Sequence, residues 1–360
     1  MKYFEEYRNE FFVKNLLDDI NSIVTREWKI MEICGGQTHS LVKNGILNML
    51  PDNIEMVHGP GCPVCVTPVG MIDKAVELAL EKNVILCSFG DMVRVPGSAK
   101  SLLAAKALGA DVRIIYSPLD ALKIAEQNKD SEVVFFAVGF ETTAPANALS
   151  VIQAKKSGIT NYSILSSHVL VPPAMEAILS DEETRINGFL AAGHVCTIMG
   201  TLEYELVAKR HNTPIVVTGF EPVDLLQGIK TCITQLENGD AELKNQYTRV
   251  VRNEGNKEAK AIIFEVFEIG NREWRGVGNI PSSGYKVNNK YSEYDALVRF
   301  ALKVENGKEN KDCMAGEVLK GLKKPHHCSL FGNSCTPSSP QGAPMVSSEG
   351  ACAAYYHYGF

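Results

Sequence analysis

The chain has 360 residues, 45% of them hydrophobic and 22% charged, with a formal net charge of −6. That length suggests two or three domains, and the acidic balance leaves no basic footprint for nucleic acid. No uncharged apolar run approaches the ~18 residues of a membrane helix, and no apolar leader follows the mixed-charge start MKYFEEYRNEFF. Ten cysteines in such a chain point to metal or redox chemistry rather than a disulfide framework, and the cytoplasm is the expected compartment.

In chain order, the short apolar runs Trp28–Ile33, Ile54–Val57, Val84–Cys87, Val112–Tyr116, Val133–Val138, Tyr162–Leu165 and Ile215–Val217 read as buried strands. Helical patterns separate many of them; in GMIDKAVELALEKN, Ile72, Val76 and Ala79 or Leu80 share a face. The alternation predicts an α/β protein with mainly parallel sheets, whose functional residues belong in the turns after the strands. VILCSFGDMVRVPG resembles IVVTGFEPVDLLQG, and MVHGPGCPVCVTPVGMIDKAVELAL parallels ILSSHVLVPPAMEAIL without its thiols. Two similar α/β domains, residues 30–128 and 129–230, are therefore expected around a cleft. After residue 230 come polar stretches, an alternating strand AIIFEVFEI and a glycine-rich GNREWRGVGNIPSSGY. From Lys323 the chain is rich in Pro, Gly, Ser and Cys. Residues 231–360, with 1–29, are expected to form a third, loop-rich domain held by something other than a large core.

That region contains Cys313, Cys328, Cys335 and Cys352, separated by fourteen, six and sixteen residues. Four thiolates suit zinc or an iron–sulfur cluster. Neither the short knuckles usual for zinc nor a common ferredoxin run is present, so spacing leaves both open. Near the start, HGPGCPVCVTP carries Cys62 and Cys65 ahead of a helix expected to begin at Pro68 with Thr67 as its cap. A helix N-terminus lowers thiol pKa, so the pair reads as a redox dithiol or half a metal site. In EICGGQTH, Cys34 ends a strand, Gly35 and Gly36 admit a ligand to the backbone, and Thr38 is the expected cap of the next helix. In GFETT, Glu141 follows a strand as a proton donor or orienting group, with Thr142 and Thr143 as caps. His168 and His194 follow strands as cleft or core histidines, while Cys87, Cys196 and Cys232 read as small buried apolar residues.

Taken together, CGGQTH (34–39), GPGCPVC (59–65), GFETTAP (139–145), GHV (193–195) and the C-terminal CxLFGxxCTP…MVSSEGxCAAYY resemble the HypD family of hydrogenase maturation factors over essentially the whole chain. The resemblance implies two similar α/β domains and a third carrying a [4Fe–4S] cluster on Cys313, Cys328, Cys335 and Cys352. It implies a scaffold and redox role in building the Fe(CN)2CO group of [NiFe] hydrogenases, with a HypC-type chaperone and a HypE-type cyanide donor. Cys34 matches the thiol that holds the iron jointly with a HypC cysteine; Cys62 and Cys65 match a dithiol that exchanges electrons with the cluster. Gln37 and His39, close to Cys34 in sequence, are expected to hydrogen-bond cyanide nitrogens. Many relatives have a further cysteine just before MVSSEG where this chain has Pro344, so any accessory role of that thiol is absent here. The competing reading is an iron–sulfur thiol–disulfide oxidoreductase acting on a protein disulfide, which leaves the glycine-flanked Cys34 without a purpose.

Overall fold

The computed structural model describes residues 5–305 and 307–359. Its strands are β1 (Trp28–Glu32), β2 (Ile54–His58), β3 (Val84–Ser88), β4 (Asp111–Ile114), β5 (Glu132–Gly139), β6 (Tyr162–Val169), β7 (Gly188–Ala192), β8 (Ile215–Thr218), β9 (Leu243–Asn245), β10 (Phe267–Trp274) and β11 (Gly278–Val287). They form a five-stranded sheet in the order β2-β1-β7-β8-β9 and a six-stranded sheet in the order β10-β11-β6-β5-β3-β4. Every pairing in the first sheet is parallel. The second is parallel from β6 to β4 and extended by the antiparallel hairpin β10–β11. Near-continuous buried apolar strands are what a parallel sheet covered on both faces requires, and β5, β6, β7 and β8 are of that kind. The expected α/β class with two mainly parallel sheets is therefore present.

The expected domain limits do not follow the sheets. β1 and β2 start the first sheet, the chain crosses over to lay down β3–β6, then returns so that β7 can pair with β1 (Met31 opposite Phe189). β10 and β11, from the region assigned to a third domain, complete the second sheet. The repeated stretches belong to different sheets. β3 and β8 each lie one strand in from an edge, so the likeness relates sheet to sheet rather than one chain half to the other. Nor does the N-terminal segment join the tail. The helix Glu10–Ile23 packs Ile20 against Leu226, Ile229 and Ile233 of the helix Pro222–Asn238, beside the first sheet.

Two element predictions fail for physical reasons. AIIFEVFEI is a helix end followed by a strand: Asn256 caps Lys257–Val266 by accepting the Ala259 N–H, and Ala259, Ile263 and Val266 form its buried face. That spacing is helical, and alternation begins only at Phe267. β7, GFLAA, was not foreseen because alanine gives little strand signal; burial on both faces selects it.

One core cluster joins the two sheets. It contains Met31, Val57 and Phe189 from the first, Phe140, Val169 and Trp274 from the second, and Cys34, Cys62 and Cys65 between them. The glycine-cysteine turns thus lie at the junction of the sheets. The region after residue 307 has only short helices, Ala315–Leu319 and Ala351–Tyr358 among them, joined by turns. No helix among the described residues is long and apolar enough to cross a membrane.

Candidate functional site

Cys34 ends the turn after β1 and is the N-cap residue of the helix Gly35–Lys43, with extended backbone. The second cysteine turn is pressed against it. The Gly35 N–H donates to the Gly61 carbonyl at 2.9 Å, and a Cβ at Gly61 would fall on the backbone nitrogen of Cys34. Only glycine allows that approach. A Cβ at Gly36 would press on the Phe220 ring at 3.3 Å and lie 3.7 Å from the Cys34 Sγ, so glycine lets the ring pack close to the sulfur. Cys34 is 3% exposed.

The nearest titratable ring is His194, with Nδ1 3.7 Å and Nε2 4.0 Å from the Cys34 Sγ. It stacks on Phe220 at 5.2 Å between centroids. Burial pushes the Cys34 thiol well up, with Glu349 and Glu32 adding to it against the Gln37 and Gly36 N–H groups. Burial also pushes His194 down to about 4. A dry thiol and a neutral imidazole therefore face each other. Sequence reasoning left His194 between cleft and core; the crossover that puts β7 beside β1 decides it.

The other residues expected around Cys34 have different duties. Thr38 is no cap: it lies inside the helix and donates its hydroxyl to Glu32. Gln37 spends its amide donors on the Ala191 carbonyl, 3.1 Å, and Thr218 Oγ1, 2.6 Å, leaving Oε1 buried without a partner. His39 faces the C-terminal segment, with Nδ1 3.0 Å from the Ser348 carbonyl and its ring edge-on to Tyr358. Neither side chain serves as a donor toward Cys34, because the helix turns His39 away and the Gln37 amide is committed.

Cys62 is the N-cap residue of a single-turn helix, Pro63–Val66, and Cys65 lies within it. Thr67 ends that turn by donating to the Pro63 carbonyl, and the next helix starts at Val69 behind Pro68, without a side-chain cap. The thiols are 3% and 1% exposed. The expected lowering of thiol pKa fails at Cys65, which is pushed up by burial first and by Cys62 beside it second. One helical turn carries too little dipole to offset loss of water. The helix Pro63–Val66 packs on the turn Ala343–Met345, and Cys65 feels the charge of Cys352, so the dithiol faces the C-terminal region.

In the tail, Cys352 feels Cys313, Cys335 and Cys328 in turn, so the four thiols share one neighbourhood. Cys335 Sγ accepts the Gln341 N–H at 3.3 Å, and a Cβ at Gly342 would lie 2.5 Å from Cys313 Sγ. The loops thus bring an amide and an unobstructed approach to the sulfurs. Among the described residues no three His, Cys, Asp or Glu side chains converge closely enough for one metal ion. Four soft thiols with a backbone N–H on one sulfur are a donor set that fits a [4Fe–4S] cluster. Pro344 lies buried in the turn Ala343–Met345, under Gly350.

Glu141 is buried, accepts the Val171 N–H at 2.9 Å and leaves Oε2 without a partner. Burial pushes it up to about 8. Thr143 does sit at the N-cap of Ala144–Lys156, yet its hydroxyl donates back to the Phe140 carbonyl. His168 is a core histidine bonded to Asn147 at 2.6 Å. Cys87, Cys196 and Cys232 are buried as expected.

With this geometry in view, comparison with known proteins is decisive. The HypD family model, described as "Hydrogenase formation hypA family", matches residues 12–359. The chain belongs to the HypD family of hydrogenase maturation factors. It is 47% identical to hydrogenase maturation factor HypD of Azotobacter vinelandii over 368 residues, covering 100% of this chain and 97% of that protein. The corresponding protein of Cupriavidus necator is 44% identical over 369 residues, covering 100% and 97%. That of Escherichia coli K12 is 45% identical over 366 residues, covering 99% and 98%.

Residues that sequence reasoning passed over complete the site. Glu32, His58, Glu349 and Tyr355 all bear on Cys34 or on the groups around it. Glu32 and His58 flank the two cysteine motifs, but a single acidic or basic residue at a strand end carries no signal until the strands are paired.

Proposed function

We propose that this protein is the scaffold and redox component on which the Fe(CN)2CO group of a [NiFe] hydrogenase is assembled. It works with a HypC-type chaperone and receives cyanide through a HypE-type partner. The iron is the substrate, and Cys34 holds it together with a cysteine of the chaperone. The observation that carries this reading is the meeting of Cys34 and the Cys62–Cys65 pair at the junction of the sheets, with the helix bearing Cys65 packed on the C-terminal region that holds the quartet.

A cation reverses the preference of a dry pocket for a neutral thiol, since a metal-bound thiol is deprotonated outright. The neutral His194 ring, 3.7 Å from the sulfur, is positioned to hydrogen-bond the deprotonated sulfur. Burial around Cys34 excludes competing water. Cys313, Cys328, Cys335 and Cys352 would hold a [4Fe–4S] cluster, which supplies one-electron chemistry when bound. Cys62 and Cys65 are adjacent and able to pass between dithiol and disulfide. Ten free thiols favour a reducing cytoplasm.

The thiol–disulfide oxidoreductase reading is less well supported. It gives no role to Cys34, whose turn is pressed against the Cys62–Cys65 turn. The test is infrared spectroscopy of the anaerobic complex with the chaperone. Bands of iron-bound CO and cyanide are expected for the native chain and lost with Cys34→Ala. A Cys34→Ala complex that keeps all the bands overturns the assignment.

A further inference from the structure

Glu32 is the last residue of β1 and His58 the last of β2, directly opposite one another in the parallel pair. Glu32 is wholly buried, and three donors converge on its carboxylate. The Cys34 N–H meets Oε2 at 2.9 Å; the Thr38 hydroxyl and His58 Nδ1–H, the latter at 2.7 Å, meet Oε1. His58 Nε2 lies 3.1 Å from the Tyr355 hydroxyl, with the rings edge-to-face at 5.3 Å. Tyr355 is on the helix Ala351–Tyr358, one turn beyond Cys352. A continuous chain of buried hydrogen bonds therefore runs from the backbone of Cys34 to the helix that carries a cysteine of the quartet.

Desolvating a carboxylate, an imidazole and a phenol together is a poor way to gain stability, because apolar side chains of similar volume do as well or better. Directional bonds give something apolar packing does not, a fixed angle and register between the groups they join. We propose that Glu32, His58 and Tyr355 form a positioning relay that fixes the Cys34 turn in register with the helix bearing Cys352. None of the three touches the assembled iron; they act through Cys34. The inference rests on the reading of Cys34 as the iron-holding thiol, but its test needs no iron on Cys34.

The measurement is the alkylation rate of Cys34 by iodoacetamide in the full-length protein, followed by peptide mass spectrometry under anaerobic conditions. Tyr355→Phe cuts the relay three bonds away from Cys34. His58→Asn keeps a donor near the Nδ1 position and loses the Tyr355 end. Each is expected to speed Cys34 labelling about fivefold, the effect of one lost hydrogen bond on a local opening. The double variant is expected to match either single one, since both break the same link. Cys62, in the same core, is expected to stay within about twofold of its native rate, which separates loss of register from general loosening. Unchanged Cys34 labelling in the variants, strictly additive effects, or equal acceleration of Cys62 overturns the relay. If Tyr355→Phe does not fold, His58→Asn alone decides by the same criteria. Failure of the iron assignment is distinct: it is read in infrared bands that survive Cys34→Ala, whatever the labelling rates.

Discussion

Around Cys34 the chain is packed backbone on backbone, with Gly61 against the Cys34 nitrogen and the thiols of Cys62 and Cys65 sealed in a core drawn from both sheets. Around Cys313, Cys328 and Cys352 the chain runs as turns between short helices, and the thiols are only half-buried. The first region is shaped before any ligand arrives, because strand pairing and packing fix it. The second gathers four thiols with little apolar surface of its own, so a bound group contributes to its folding as well as to its chemistry. A site that must hold a transient substrate in one geometry gains from rigidity; one that holds a resident group can draw its order from that group.

The sharpest test of this contrast is Cys34→Ala. Complete loss of the infrared bands is expected with a cost in stability of no more than about 1 kcal/mol, since a small buried group is removed from a pocket fixed by backbone contacts. Thermal melting of the variant checks the second half, and a large drop in melting temperature would show that Cys34 holds the turn rather than the reverse. Cys335→Ala should act in the opposite way. Iron and sulfide, about four of each in the native anaerobic protein, are expected to be lost. Limited proteolysis should then open the segment after residue 307 while β1–β8 stay protected; cleavage throughout the chain would deny the two regions their independence.

Gly61→Ala is expected to destabilise the whole protein by about 3 kcal/mol, because the added Cβ meets backbone rather than a flexible side chain. Gly332→Ala, where a Cβ meets nothing within 4 Å but φ is +72°, should cost about 1 kcal/mol. Denaturant unfolding distinguishes them, and equal costs would erase the contrast in packing. A further test concerns pH dependence. Burial raises Glu141 from 4.5 to about 8 in the folded chain, so between those values the folded state holds a proton that the unfolded state has lost. Stability contributed by this group is full below pH ~4.5 and falls by up to about 1.4 kcal/mol per pH unit until pH ~8. Glu141→Gln should flatten that slope, as measured by unfolding at a series of pH values; an unchanged slope would mean that Glu141 is ionised in the native protein.

Much of the fold was legible because buried parallel strands and amphipathic helices leave local patterns. Strands around Trp28, Ile54, Val84, Val133, Tyr162 and Ile215 lie where apolar runs expected them. The family was legible because whole motifs match, and cysteine spacing singled out the residues of the tail. The roles of neighbours were much less legible. His39 is five residues from Cys34 and turned away, whereas His194, 160 residues distant, is beside it. Glu141 looked like a cleft acid and instead accepts a backbone N–H at the start of the helix Val171–Leu179.

By itself, then, the amino-acid sequence determined the element types, the glycines that permit close backbone approach, and the identity of the thiols, since each depends on short-range sterics or on side-chain chemistry. Tertiary structure alone decided which strands share a sheet, and with them the partners of every catalytic candidate. The return of the chain to pair β7 with β1 brings His194 to Cys34, and pairing of β1 with β2 brings His58 to Glu32. Burial, too, is a property of the assembled core: it raises the Cys65 thiol that a helix N-terminus was expected to lower, because desolvation in a closed core outweighs the dipole of a single turn.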